Sequence, residues 1–156
     1  MTIYFCIYAF IGYCIESIYR SLIERKWISS GILDCPFIPL YGIGAVCLIF
    51  YKSYFHYNAF IGGLFLVFIE LISSYYIEYT FKIKYWNYEK HIFNFQGRIC
   101  LLYSGIWILM TYIFYNYLHP FISQFTITNN YTTVISIFVI IYILIKTKKR
   151  ISQNLS

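Results

Sequence analysis

Five apolar runs, separated by polar stretches, set the plan of this chain. The first covers residues 2–19 and is interrupted by Glu16. The second covers 36–57, with Pro39 near its start, where proline favours a helix opening, and Lys52 near its far end. Its length admits either a full crossing or a partly re-entrant segment. The third covers 58–81 and carries Glu70 and Glu78; the fourth covers 99–118 and is expected to stop at His119-Pro120. The fifth covers 131–145, and a basic tail, 146–156, follows. Runs of this kind predict membrane-crossing helices, each needing about 20 apolar residues. The expected fold is all-α: a polytopic integral membrane protein with about five transmembrane helices in a single domain over residues 1–145.

Composition agrees. Only 12% of the residues are charged, against roughly 25% in soluble domains. The net charge of +6 could suggest nucleic acid, but there is no separate basic domain to carry it, and nucleic-acid binding is not expected. The basic residues lie between the apolar runs instead. Counted by alternate sides, eleven of the twelve Lys and Arg fall on one side and Lys52 alone on the other. Positive residues concentrate in the cytoplasm, which orients the chain N-out and C-in, as an odd number of spans requires. The expected location is the cell membrane, of the bacterial inner-membrane kind, with a retained rather than cleaved first helix, because no basic n-region or A-x-A site is present. The five Cys form no CxxC pair, so neither a disulfide framework nor a zinc site is expected.

The polar residues within these runs are the candidate chemistry. A carboxylate near the centre of a membrane helix costs roughly 2.5–3.5 kcal/mol. Glu16 shares a helix face with Gly12 and Arg20, so it is either half of an intrahelical pair with Arg20 or a site residue facing the other helices. Glu70 lies deepest, roughly 18 Å into its helix at 1.5 Å per residue, and is either a hydrogen-bonded structural group or a functional one. Glu70, Ser74 and Glu78 are spaced i, i+4, i+8, which gives that helix one polar stripe. Arg98 is the natural counter-ion for Glu78 or Glu16. Gly97, Leu101, Ser104 and Gly105 fall near one face of the fourth helix and predict a close helix contact there. The loops add Tyr41, Trp86, Tyr88 and Asn94. Tyr41 belongs to the stretch Gly31–Gly44, which holds three glycines and two prolines in 14 residues and predicts a defined turn before the second helix. On this topology Glu16, Tyr41, Glu78, Trp86, Tyr88, Asn94 and Arg98 cluster at the cytoplasmic leaflet, with Glu70 above them, and define a cytoplasm-facing polar cleft. No metal site or cofactor is expected.

At these residues the chain resembles the ABC-transporter type IV membrane proteins, a CmpB-type, permease-like family. The resemblance runs from Gly12 to Pro120. It rests on Gly12, Glu16 and Tyr19; on Gly31, Pro36 and Pro39-Leu40-Tyr41-Gly42-Ile43-Gly44; on Glu70, Ser73-Ser74 and Glu78; on Trp86, Tyr88, Asn94 and Gly97-Arg98-Ile99-Cys100-Leu101; and on Ser104, Trp107 and His119-Pro120. The sequence departs from the family pattern at Asn87 and Glu89, at Asp34-Cys35 and at Ile108. The resemblance implies a small polytopic permease-like protein, one component of a transporter.

Three functions stay open. The first is a transport protein or transporter subunit using an intramembrane carboxylate. No GxxxxGK[ST] motif is present, so its ATPase would be a separate subunit. The second is a membrane-embedded enzyme acting on a lipid-type substrate at the cytoplasmic leaflet, although no complete catalytic constellation is visible. The third is a non-catalytic assembly protein. The expected partners are the lipid bilayer, a separate ATPase subunit and, as a homo-oligomer, a second copy of the chain.

Overall fold

The computed structural model describes residues 1–54 and 58–155. It is helical apart from loops and one two-residue strand pair: α1 (Thr2–Glu24), α2 (Pro39–Tyr54), α3 (Ala59–Phe81), β1 (Asn94–Phe95), β2 (Ile99–Cys100), α4 (Leu101–Ile113), a π turn (Phe114–Leu118), α5 (His119–Phe125) and α6 (Asn130–Leu155). Among the described residues, four helices are long and apolar enough to cross a membrane, and α2 is a shorter apolar one. The far end of the second apolar run, with His56, lies outside the described residues. The chain divides into two compact units, Met1–Val46 with Thr128–Ser156, and Cys47–Ile127.

In the first unit α1 packs on α6, where the Ser136 hydroxyl donates to Thr2 Oγ1 at 2.7 Å. After α1 the chain turns back along its own helix. Ile28 N–H donates to Ser21 Oγ, Ser30 N–H to Ser17 Oγ and Ile38 N–H to the Ala9 carbonyl, at 2.9, 3.0 and 3.0 Å. Ser21 to Ala9 spans twelve residues of helix, about 18 Å at 1.5 Å per residue. A non-helical segment thus runs beside a membrane-length helix, its backbone donors met by serine hydroxyls and a carbonyl rather than by lipid, the condition under which irregular backbone survives at that depth. It sets the start of α2, which begins level with Ala9. The turn is sealed by two close approaches, the Tyr41 ring on Gly12 and Phe5 on Gly42.

In the second unit α3 packs along α4. Asn58 caps α3, its Oδ1 accepting from Phe60 and Ile61 N–H at 2.9 and 3.2 Å. The helices meet where Gly63 faces Ile108: a Cβ there would stand 2.5 Å from Ile108 Cα. The structure differs from the sequence expectation at two places. Gly105 does not make the close helix contact; it is exposed, with nothing within 4 Å of a Cβ built on it, and Leu101 is exposed too. The contact face of α4 is turned instead toward Trp107, Ile108 and Thr111, and the glycines that admit it are on α3. His119-Pro120 likewise does not end the fourth helix, which continues through the π turn to Phe125. The π turn lets His119 N–H bond to the Phe114 carbonyl, five residues back, and this wider turn carries the chain past the proline. At the C-terminus, residues 146–155 continue α6 without a break.

Candidate functional site

Glu70 is 4% exposed, on the face of α3 turned to α4 and to the loop before it. Both carboxyl oxygens are engaged. The Tyr88 hydroxyl donates to Oε1 at 3.0 Å, and the Trp107 indole N–H to Oε2 at 2.9 Å. Two donors on one buried carboxyl meet the requirement that a group withdrawn from water be hydrogen-bonded. Tyr88 is itself held in place. Its ring stacks on Tyr103 of α4 with centroids 4.4 Å apart, and the His91 ring stands edge-on to both.

Two turns along α3, the same stripe meets Arg98. One guanidinium nitrogen donates to Ser74 Oγ at 2.9 Å, and another pairs with the Glu78 carboxylate. The guanidinium lies over the Tyr75 ring at 4.0 Å, and the Tyr75 hydroxyl donates to Gln96 Oε1 at 2.5 Å. Arg98 is therefore forked between a hydroxyl and a carboxylate while stacked on an aromatic face, a combination that lysine cannot reproduce. The Arg98 side chain is 12% exposed and that of Glu78 44%. Replacing Arg98 with Gln is expected to lower stability by about 1–3 kcal/mol, less than a fully buried pair would lose because Glu78 keeps partial solvent contact. Arg98→Lys is expected to recover only part of that loss. Thermal unfolding in detergent measures both; equal stability of Arg98→Gln and wild type would contradict the geometry.

The loop that delivers Tyr88 and Arg98 is tied by its own side chains. Trp86 Nε1 donates to the Arg98 carbonyl at 2.9 Å, and Tyr88 N–H to the Gly97 carbonyl at 2.8 Å. Asn94 closes the turn, donating to the Glu89 and His91 carbonyls while its Oδ1 accepts from Gly97 N–H. Gly97 has φ +66°, and a Cβ there would lie 2.5 Å from Asn87 Oδ1, so the turn needs glycine. At the loop surface Lys84 pairs with Glu89 at 2.8 Å and holds that carboxyl below its ordinary value.

Glu70, Ser74, Glu78, Arg98, Trp86 and Tyr88 thus form one connected cluster in the second unit, with Asn94 as its loop fastener. Ser104 stays with its own helix, its hydroxyl donating to the Cys100 carbonyl at 2.9 Å. Glu16 and Tyr41 belong to the first unit. Tyr41 packs on Gly12, and Arg20 pairs with Glu24 at 3.7 Å. Sequence reasoning did not single out Trp107, Tyr75, Tyr103, His91 or Gln96 as site residues. A signal for Trp107 was present, since Ser104, Trp107 and Thr111 recur at helical spacing. Among the described residues no three His, Cys, Asp or Glu side chains converge as a metal site.

Fold and site together define a multi-pass helical membrane protein with a polar cluster centred on a buried glutamate. The chain belongs to the family described as "Putative ABC-transporter type IV", whose model matches residues 3–149. No curated protein and no solved structure matches it.

Proposed function

We propose that the chain is a permease-like subunit of a transporter in the cell membrane, with Glu70 as its central ionisable group. The supporting observation is the buried Glu70 carboxyl held by Tyr88 and Trp107, continued along the α3 face by Ser74 and the Glu78–Arg98 pair. Intramembrane ionisable groups mark ion, proton and substrate routes. In this reading Glu70 accepts a proton, a cation or a substrate amine, and Ser74, Glu78 and Arg98 line its route to the cytoplasm under the N-out, C-in orientation. Energy from ATP would come from a second polypeptide, since the sequence has no phosphate-binding loop of the GxxxxGK[ST] kind. A tagged copy purified from its host in mild detergent is expected to bring an ATPase with it, detected by mass spectrometry. Recovery of the chain with no nucleotide-binding protein, under conditions that keep other membrane complexes intact, would count against the subunit reading.

A further inference from the structure

The second unit has another polar feature, at the end of the α3–α4 pair opposite to Arg98. A groove of about 430 Å³ is lined by Ile49, Lys52 and Ser53 of α2 and by His119, Pro120 and Ser123 of α5. Its two nitrogen-bearing side chains are positioned by the π turn. The His119 ring stacks on Phe114, with centroids 5.4 Å apart and planes within 9°. Lys52 Nζ stands 5.6 Å from the centre of the Tyr115 ring. Phe114 and Tyr115 are both buried, and the Tyr115 hydroxyl donates to the Leu48 carbonyl at 2.9 Å, which ties the π turn to α2. Single π turns inside α-helices recur at functional sites. This one sets an imidazole and an ammonium on the same groove.

The charge around the groove is one-sided. The sequence from Cys35 to Ile69 and from Lys90 to the C-terminus contains no Asp or Glu, so α2, the π turn and α5 carry no carboxylate to neutralise Lys52. Two serine hydroxyls, Ser53 and Ser123, lie in the same lining, each giving its one proton to a carbonyl of its own helix, Ile49 at 3.0 Å and Pro120 at 2.9 Å. Ile49 and Pro120 supply an apolar wall.

We propose that this groove binds a phosphate group, with the Lys52 ammonium as its main electrostatic partner and the His119 imidazole as a further donor. A phospholipid headgroup and a soluble phosphate present the same chemistry to it. The proposal does not depend on the role of Glu70.

The test uses the full chain in dodecyl maltoside, a detergent without phosphate, with phosphatidylglycerol and inorganic phosphate as separate probes followed by native mass spectrometry. At least one probe is expected to bind. Lys52→Gln is expected to weaken that binding by about tenfold or more, the weight of one hydrogen bond to a charged group, while Lys52→Arg retains it. Binding of phosphatidylglycerol that inorganic phosphate does not displace assigns the site to a lipid headgroup. Binding of inorganic phosphate that the lipid does not displace assigns it to a soluble anion. Unchanged affinity in both Lys52→Gln and the Lys52→Gln/His119→Asn double variant, with folding verified by circular dichroism, would overturn the proposal, and so would the absence of binding by either probe.

Discussion

Glu70→Leu is expected to lower the stability of the second unit by about 2–6 kcal/mol, whereas Glu70→Gln should remain within about 1.5 kcal/mol of wild type. The contrast follows from the two donors. Leucine offers no acceptor to the Tyr88 hydroxyl or the Trp107 indole, and each buried donor that loses its acceptor costs roughly 1–3 kcal/mol. Glutamine can satisfy both. Its oxygen accepts from Trp107, which can only donate, and its amide donates to Tyr88, whose hydroxyl can also accept. Thermal unfolding of the three proteins in one detergent checks this. Similar losses for Leu and Gln would mean that the two donors do not distinguish the acceptor on position 70.

The second large effect is expected at the α3–α4 contact. Gly63→Val would place its Cβ 2.5 Å from Ile108 Cα and 2.7 Å from Ile108 Cγ1. A flexible side chain can move aside, but a backbone atom can do so only if the helix moves. The cost should reach or exceed the upper end of the roughly 1–3 kcal/mol typical of overpacking. Separating α3 from α4 would also draw Trp107 away from Glu70, since Trp107 precedes Ile108 on the same helix. Gly105→Ala is the matched control. It adds a methyl where nothing lies within 4 Å, and in a helix interior alanine is favoured over glycine by up to about 1 kcal/mol. Membrane yield and melting temperature should therefore fall for Gly63→Val and hold or rise for Gly105→Ala. Equal tolerance of the two would contradict the packing described here.

The parts of this structure that depend on periodicity could be read from the sequence. The apolar runs announce the helices, and the four-residue spacing of Glu70, Ser74 and Glu78 places them on one face of α3. The parts that depend on what faces that stripe could not. Tyr88 and Trp107 lie 18 and 37 residues from Glu70, and nothing local in the sequence couples them to it. The contact face of α4 is hidden for the same reason: small residues at positions 97, 104 and 105 suggest a contact there, while the close approach uses glycine on the other helix. The continuation through Pro120 depends on a π turn, a shift of one hydrogen-bond register that no residue type specifies. The return of the chain along α1 was foreshadowed by the glycines and prolines of residues 31–44, but its depth is set by hydrogen bonds to Ser21, Ser17 and Ala9.

The most direct test of a functional rather than purely structural Glu70 separates activity from folding in Glu70→Gln. Host cells lacking the chain would be complemented with wild type or with Glu70→Gln at matched membrane levels, and their intracellular and medium metabolites compared by untargeted mass spectrometry. Glu70→Gln cells are expected to match the cells lacking the chain, although the variant protein is folded and present. A metabolite profile indistinguishable from that of wild-type complementation would contradict it, and would leave Glu70 as a hydrogen-bonded strut between α3, α4 and the loop that carries Tyr88.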